Sequence, residues 1–259
     1  MTPEDLPVGV GQGPGSRIPS SARQAVLDAA AVLQVRRTEA AAEAARGRLA
    51  EGEIVAIGMK AISEWMASTA ETWGEILSVR PTATVAQLRA GLPANRAGFE
   101  RGVSMVSVFD FYGTSAEGRI LLANEPVGGY LLGCGPVQMK IIDRRSVLLE
   151  GPEVDGFPSL MSVGSAACME AAWRYWEAVL ASCVPADAPS ERTAGEFTRR
   201  QRQVIALMAS DLGDDAIAAS LGVSVRTVRA DIAGVLAAVG VRTRFAAAVR
   251  LHRLISEPD

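Results

Sequence analysis

The sequence predicts two folded parts, an α/β domain followed by an all-α domain of four helices, and three observations carry that prediction. Residues 54–182 alternate between helical and strand-like patterns. Residues 183–192 are rich in proline and polar side chains, the composition of a boundary between domains. Beyond them every patterned segment is helical, with a glycine, Gly222, at the centre of the pattern. A chain of 259 residues is long enough to fill two cores.

Taken in order, residues 1–20 hold four alternating glycines and four prolines and are expected to be a disordered arm. Those glycines follow no strand and open no helix, so a phosphate-cradling loop is not expected. Residues 21–50 are built of strong helix formers. Val26, Leu33 and Ala40 recur at seven there, with Ala30 between, a seam expected to pack on its own domain rather than to make a coiled coil. Residues 51–183 form the α/β domain. Helices are expected from Ile57 to Thr72, Val85 to Glu100, Ser115 to Asn124 and Ser165 to Ser182. Strands are expected from Glu75, Val103, Val137, Ser146 and Leu160, the third and fourth forming a hairpin around Arg144 and Arg145. Residues 184–193 are the expected linker, and residues 194–259 the helical domain.

Composition narrows the function. No run of about 18 apolar residues offers a membrane span, and the acidic start does not resemble a secretory signal, so a cytoplasmic protein without a membrane partner is expected. Cys134, Cys168 and Cys183 are odd in number and lack C-x-x-C spacing, which suggests buried thiols and neither a disulfide framework nor a metal site. The net charge of −3 is unevenly spread: residues 192–255 carry ten arginines against five acids. No catalytic motif or cofactor loop stands out, so neither an enzyme nor a cofactor is expected.

The basic end has a definite local grammar. Thr198 and Gln201 have capping-box spacing ahead of Val204, Leu207 and Met208. Gly213 or Asp214 opens a second short helix with Ile217, Ala218 and Leu221. Gly222 supplies the turn, Ser224 caps a third helix, and Gly240 ends it. Ala218, Gly222 and Val228 are the small residue, turn glycine and locking residue of a helix-turn-helix. The third helix is then the one that enters the major groove. Ser224, Val225, Arg226, Thr227, Arg229, Ala230 and Ala233 are candidate DNA-facing residues, and Arg242, Thr243 and Arg244 are candidate phosphate contacts. Arg226 and Arg229 are the expected base readers because a guanidinium fork fits guanine O6 and N7. Thr227 bonds either a phosphate or its own helix, and Arg244 either a phosphate or a partner within the protein.

The segment FTRRQRQVIALMASDLGDDAIAASLGVSVRTVRADIAGVLAAVGVRTRFAAAV resembles the LuxR/GerE helix-turn-helix family. That resemblance implies a four-helix DNA-binding domain that acts as a dimer on a two-part site. Asp215 and Ala216 stand where the family usually has lysine and glutamate, Asp231 where histidine is common, and Gly234 where asparagine is common. Asp231 is expected to bond an arginine of the protein.

The preceding domain, through FERGVSMVSVFDFYG, PVQMKIIDRRSVLL and MEAAWRYWEAVL, resembles the phospholipase D-like sensor domain of some actinobacterial and TrmB-type regulators. The catalytic relatives use H-x-K-x(4)-D. Here Lys140 is kept, Gln138 takes the histidine position and Asp143 falls at another spacing, so binding without cleavage is expected. Gln138, Lys140, Asp143 and Trp65 are the candidate ligand residues. Lys140 and Asp143 either line a cleft or pair with each other. Trp65 and Trp73 on one helix, and Trp173, Tyr175 and Trp176 on another, are expected mostly in the core.

The expected function is thus a sequence-specific transcription regulator, a homodimer on double-stranded DNA, controlled by a small-molecule effector or partner and possessing RNA polymerase as a candidate partner. The alternative is a protein-interaction adaptor that contacts the transcription machinery without reading DNA.

Overall fold

The structure is a computed structural model that describes residues 18–47, 51–125, 127–185, 197–209, 211–244 and 246–247. Most of the arm expected over 1–20, most of the linker expected over 184–193, and His252, the single histidine of the sequence, lie outside the described residues. The described chain divides into two compact units. One holds residues 18–114 and 125–185, the other residues 115–124 and those from 197 onward.

The first unit is an eight-stranded mixed sheet. Its strands are β1 (Gly52–Ile57), β2 (Glu75–Arg80), β3 (Ser104–Asp110), β4 (Gly129–Gly133), β5 (Met139–Ile142), β6 (Ser146–Glu150), β7 (Ser159–Val163) and β8 (Val184–Pro185), in the order β1-β7-β6-β5-β2-β3-β4-β8. β2, β3 and β4 run parallel, and every other neighbouring pair is antiparallel. β1 and β4 were not expected from the sequence, and Val184 and Pro185 of the expected linker pair with the β4 edge.

Alternation along β2 sends Leu77 and Val79 to one face, where α1 (Ser20–Ala45) and α5 (Ala166–Ala181) lie. Val26, Ala30, Leu33 and Ala40 of α1 are buried in that core, which spends the heptad seam inside the unit as expected. Tyr175 and Trp176 of α5 are fully buried there, and the Tyr175 hydroxyl donates to the Val137 carbonyl at 3.0 Å. Cys168 is buried and Cys134 and Cys183 half-buried; burial pushes the Cys168 thiol up to about 11 and Cys183 up to about 12.

The opposite face carries Ile76, Ser78 and Arg80, with α2 (Met59–Thr69) and α3 (Val85–Glu100) beside it. α3 begins at a full capping box of Thr84 and Gln87, which fixes its entry from β2. Trp65 lies in α2, but Trp73 does not share its helix: a 3-10 turn over Ala70–Thr72 ends the helical run first, and the two rings meet at 6.1 Å.

The second unit holds α4 (Ala116–Ala123), α6 (Arg199–Ala209), α7 (Asp214–Leu221) and α8 (Val225–Ala238). The helix over 116–123 was expected to belong to the α/β domain. Instead Ile120 is buried among Val204, Leu207, Ile217, Val228 and Ile232. Polar contacts seal the packing: Gln203 donates to Asn124 Oδ1 at 2.9 Å, and Ser220 donates to a Glu117 carboxylate oxygen at 2.9 Å. Among the described residues no helix is long and apolar enough to cross a membrane.

Candidate nucleic-acid interface

The caps read from the sequence are formed. Thr198 Oγ1 accepts from the Gln201 amide at 3.2 Å, and the Gln201 side chain accepts from the Thr198 amide at 2.9 Å. Gly222 ends α7 at φ 65°, a left-handed conformation that would strain a side-chain-bearing residue. Ser224 Oγ accepts from the Thr227 amide at 3.1 Å and starts α8. Ala218 and Val228 are both buried at the α7–α8 contact, completing the three-residue lock.

With Val228, Ile232 and Val235 buried, α8 presents Arg226, Arg229, Ala230, Ala233 and Ala237 as an exposed stripe. The alanines keep that stripe shallow, so a duplex can approach the backbone while the arginines project. Two candidates do not lie on it. Val225 is half-buried against the helical core, and Thr227 is half-buried with its hydroxyl 2.8 Å from Ser224 Oγ, which assigns it to its own helix start. Ser224 is exposed but occupied as the cap.

The arginines are not equivalent. Arg226 makes no hydrogen bond or ion pair with a described residue. Arg229 Nε donates to Asp214 Oδ2 at 3.0 Å, and Arg244 donates to the other Asp214 oxygen. The Arg229 and Arg244 guanidinium groups hold the Asp214 carboxyl below its usual range. Arg244 therefore takes the internal alternative, and Arg229 shares that arrangement, which sequence reasoning missed because the partner lies fifteen residues away. Arg242 and Thr243 are exposed; Thr243 Oγ1 accepts from the Ala246 amide at 3.2 Å, as the cap of the next turn.

The departures from the family pattern have structural reasons at two positions. Asp231 is buried and accepts two hydrogen bonds from Arg200, at 2.5 and 3.2 Å, as expected. Gly234 faces α6 so closely that a Cβ would meet Gln201 Nε2 at 2.8 Å, which bars asparagine unless Gln201 moves. Asp215 and Ala216 are simply exposed.

The four ligand candidates in the other unit do not converge. Lys140 lines a cavity on the α2/α3 face of the sheet, and Trp65 belongs to the neighbouring apolar cluster. Gln138 is exposed and does not line it. Asp143 neither lines the cavity nor pairs with Lys140. It sits in the β5–β6 hairpin at φ 48°, where its Oδ1 accepts from the Gly74 and Glu75 amides at 2.9 and 2.8 Å and pins the start of β2. Counted back from Asp143, the histidine and lysine positions of H-x-K-x(4)-D fall on Pro136 and Gln138, both exposed, so neither frame supplies a nucleophile. Among the remaining aromatics, Trp173 lies beneath the Arg144 guanidinium at 5.6 Å. Among the described residues no cluster of His, Cys, Asp and Glu could hold a metal ion.

Comparison with known proteins bears on the two units differently. No curated protein matches the chain. Among solved structures, NucT from Helicobacter pylori is similar at 17% identity and a TM-score of 0.39, covering 48% of this chain and 89% of that one, a likeness too slight to carry the fold. The family model of bacterial regulatory proteins, luxR family, matches residues 196–251. With its caps, turn glycine and locking residues in place, that segment is a helix-turn-helix domain of the luxR family.

Proposed function

We propose that the protein is a sequence-specific DNA-binding transcription regulator that works as a homodimer and is controlled by a small molecule or partner of its α/β unit. The observation that carries the reading is the α8 stripe: an exposed Arg226 with no partner among the described residues, flanked by Arg229 and three alanines, on a helix locked by a helix-turn-helix turn. A lone module of this size buries limited surface on DNA, and pairing two about one helical turn apart supplies affinity and symmetry together. The larger unit is read as a phospholipase D-like sensor without catalysis, supported by its mixed sheet with helices and by the absence of histidine at the motif in either frame.

The test is selection of binding sites from a random duplex library with the wild type and with Arg226→Ala. A bidentate arginine–guanine contact discriminates by about 1–3 kcal/mol, so the variant is expected to lose roughly 5- to 150-fold in preference at one position of each half-site. Equal preference would remove Arg226 from base reading. If the wild type shows no duplex affinity even at low salt, where counterion release favours binding most, the adaptor reading replaces this one.

A further inference from the structure

The cavity beside Lys140 has an unusual lining. It encloses about 120 Å³ between the β2-β3-β5 face of the sheet, α3 and the end of α2. Its apolar wall includes Trp73, Leu88, Leu92 and Phe109. Its polar wall holds three cations, Arg80, Arg101 and Lys140, and, among the described residues, no carboxylate.

Strand register explains how the polar wall arises. Ser107 lies opposite Ser78, and Ser78 opposite Lys140, so all three share one face across β3, β2 and β5. The Ser78 hydroxyl donates to Ser107 Oγ at 2.8 Å, so the two serines pair with each other across β2 and β3. Neither Lys140 nor Arg80 makes a hydrogen bond or ion pair with a described residue; Arg80 rests over the Phe109 ring at 5.8 Å. Both are depressed from their usual pKa by desolvation, Lys140 to about 7 with Arg80 adding repulsion. Two desolvated like charges facing one space oppose folding unless something negative joins them.

We infer that this cavity is a binding site for a small organic anion, with its carboxylate, phosphate or sulfate group between Lys140 and Arg80 and its apolar body against Trp73, Leu88 and Phe109. The site lies on side chains that the phospholipase D motif does not include in the frame ending at Asp143, and it supplies the chemical class of effector that the sensor reading leaves open. It rests on that reading for its regulatory meaning alone, because binding is measured without DNA.

The experiment uses the full chain with acetate, butyrate, benzoate and phenyl phosphate as probes and benzamide as the uncharged counterpart of benzoate. Melting temperature and tryptophan emission are followed, Trp73 being in the wall. At least one anion is expected to raise the melting temperature saturably, and benzoate to bind at least about tenfold more tightly than benzamide, a difference of about 1.4 kcal/mol. The carboxylate and phosphate arms tell the two headgroups apart. Lys140→Met, close in shape but uncharged, is expected to lose that preference and to melt higher than the wild type without ligand. Gly91→Leu is the second variant: a Cβ at Gly91 meets no atom within 4 Å, so the new side chain occupies the open space while both cations remain. It is expected to fold and to lose binding. Failure of all four anions to bind, equal binding of benzoate and benzamide, or undiminished binding by Gly91→Leu would each overturn the proposal. DNA affinity of the same preparations, measured separately, shows whether the regulator reading stands on its own.

Discussion

Asp214→Asn is the substitution whose effect on DNA binding follows most directly from the geometry. One carboxylate holds two guanidinium groups, from Arg229 and Arg244, whose side chains are 70% and 43% exposed. A duplex that recruits either arginine must first take it from Asp214. Exposed ion pairs are worth about 0.2–1 kcal/mol each, so releasing two lowers the competing free energy by roughly 0.4–2 kcal/mol, about 2- to 30-fold in affinity at fixed salt. If each released arginine then neutralises one phosphate, the slope of log K against log salt steepens by up to about 1.8. Asparagine keeps the size of the side chain in the first turn of α7, so the helix is preserved at a small cost in dipole interaction. Fluorescence anisotropy of a labelled random-sequence duplex across a salt series measures both quantities and needs no knowledge of the operator. An unchanged slope with unchanged or lower affinity would show that Arg229 and Arg244 do not face the phosphates, and the interface would have to be redrawn around Arg226 and Arg242.

Two further outcomes test the units separately. Ile120→Ala is expected to destabilise the helical unit by about 2–4 kcal/mol through the cavity it leaves among Val204, Leu207 and Ile217, with faster amide exchange in residues 197–247 as the readout; unchanged exchange would contradict the packing of α4. Stability of the α/β unit is expected to rise between pH 7 and 8.5. Lys140 has a folded pKa of about 7, below its unfolded value, so the unfolded chain binds the extra proton in that window, at a slope of up to ~1.4 kcal/mol per pH unit. Lys140→Met should flatten that rise in denaturant melts, whereas an identical slope would show that the lysine stays protonated when folded.

What was legible in the sequence is what depends on neighbours along the chain. Capping residues such as Thr198 and Ser224, and the glycine at 222, act within three or four positions, so the helix-turn-helix emerged with its boundaries nearly intact. β4 shows the opposite case: GYLLG is short, glycine-flanked and buried throughout, and only its parallel register with β3 makes it a strand. Partners distant in sequence were hidden in the same way. Asp143 looked like an acid that either lines a cleft or pairs with Lys140, but its left-handed backbone in the hairpin turns the carboxylate onto the Gly74 and Glu75 amides. Arg229 looked uncommitted because nothing local announces Asp214, and the apolar side of α4 announced burial without saying against what.

The position of α4 also sets a timetable. Residues 116–123 leave the ribosome before the whole of 124–198, so Ile120 exists as an uncovered apolar surface until α6 to α8 have been made. The DNA-binding unit therefore completes its core only after α6 to α8 have been made, when they close on a helix made long before them. A fragment restricted to the family-matched residues 196–251 starts without that helix, and the apolar surface left by the loss of Ile120 would make it prone to associate with itself.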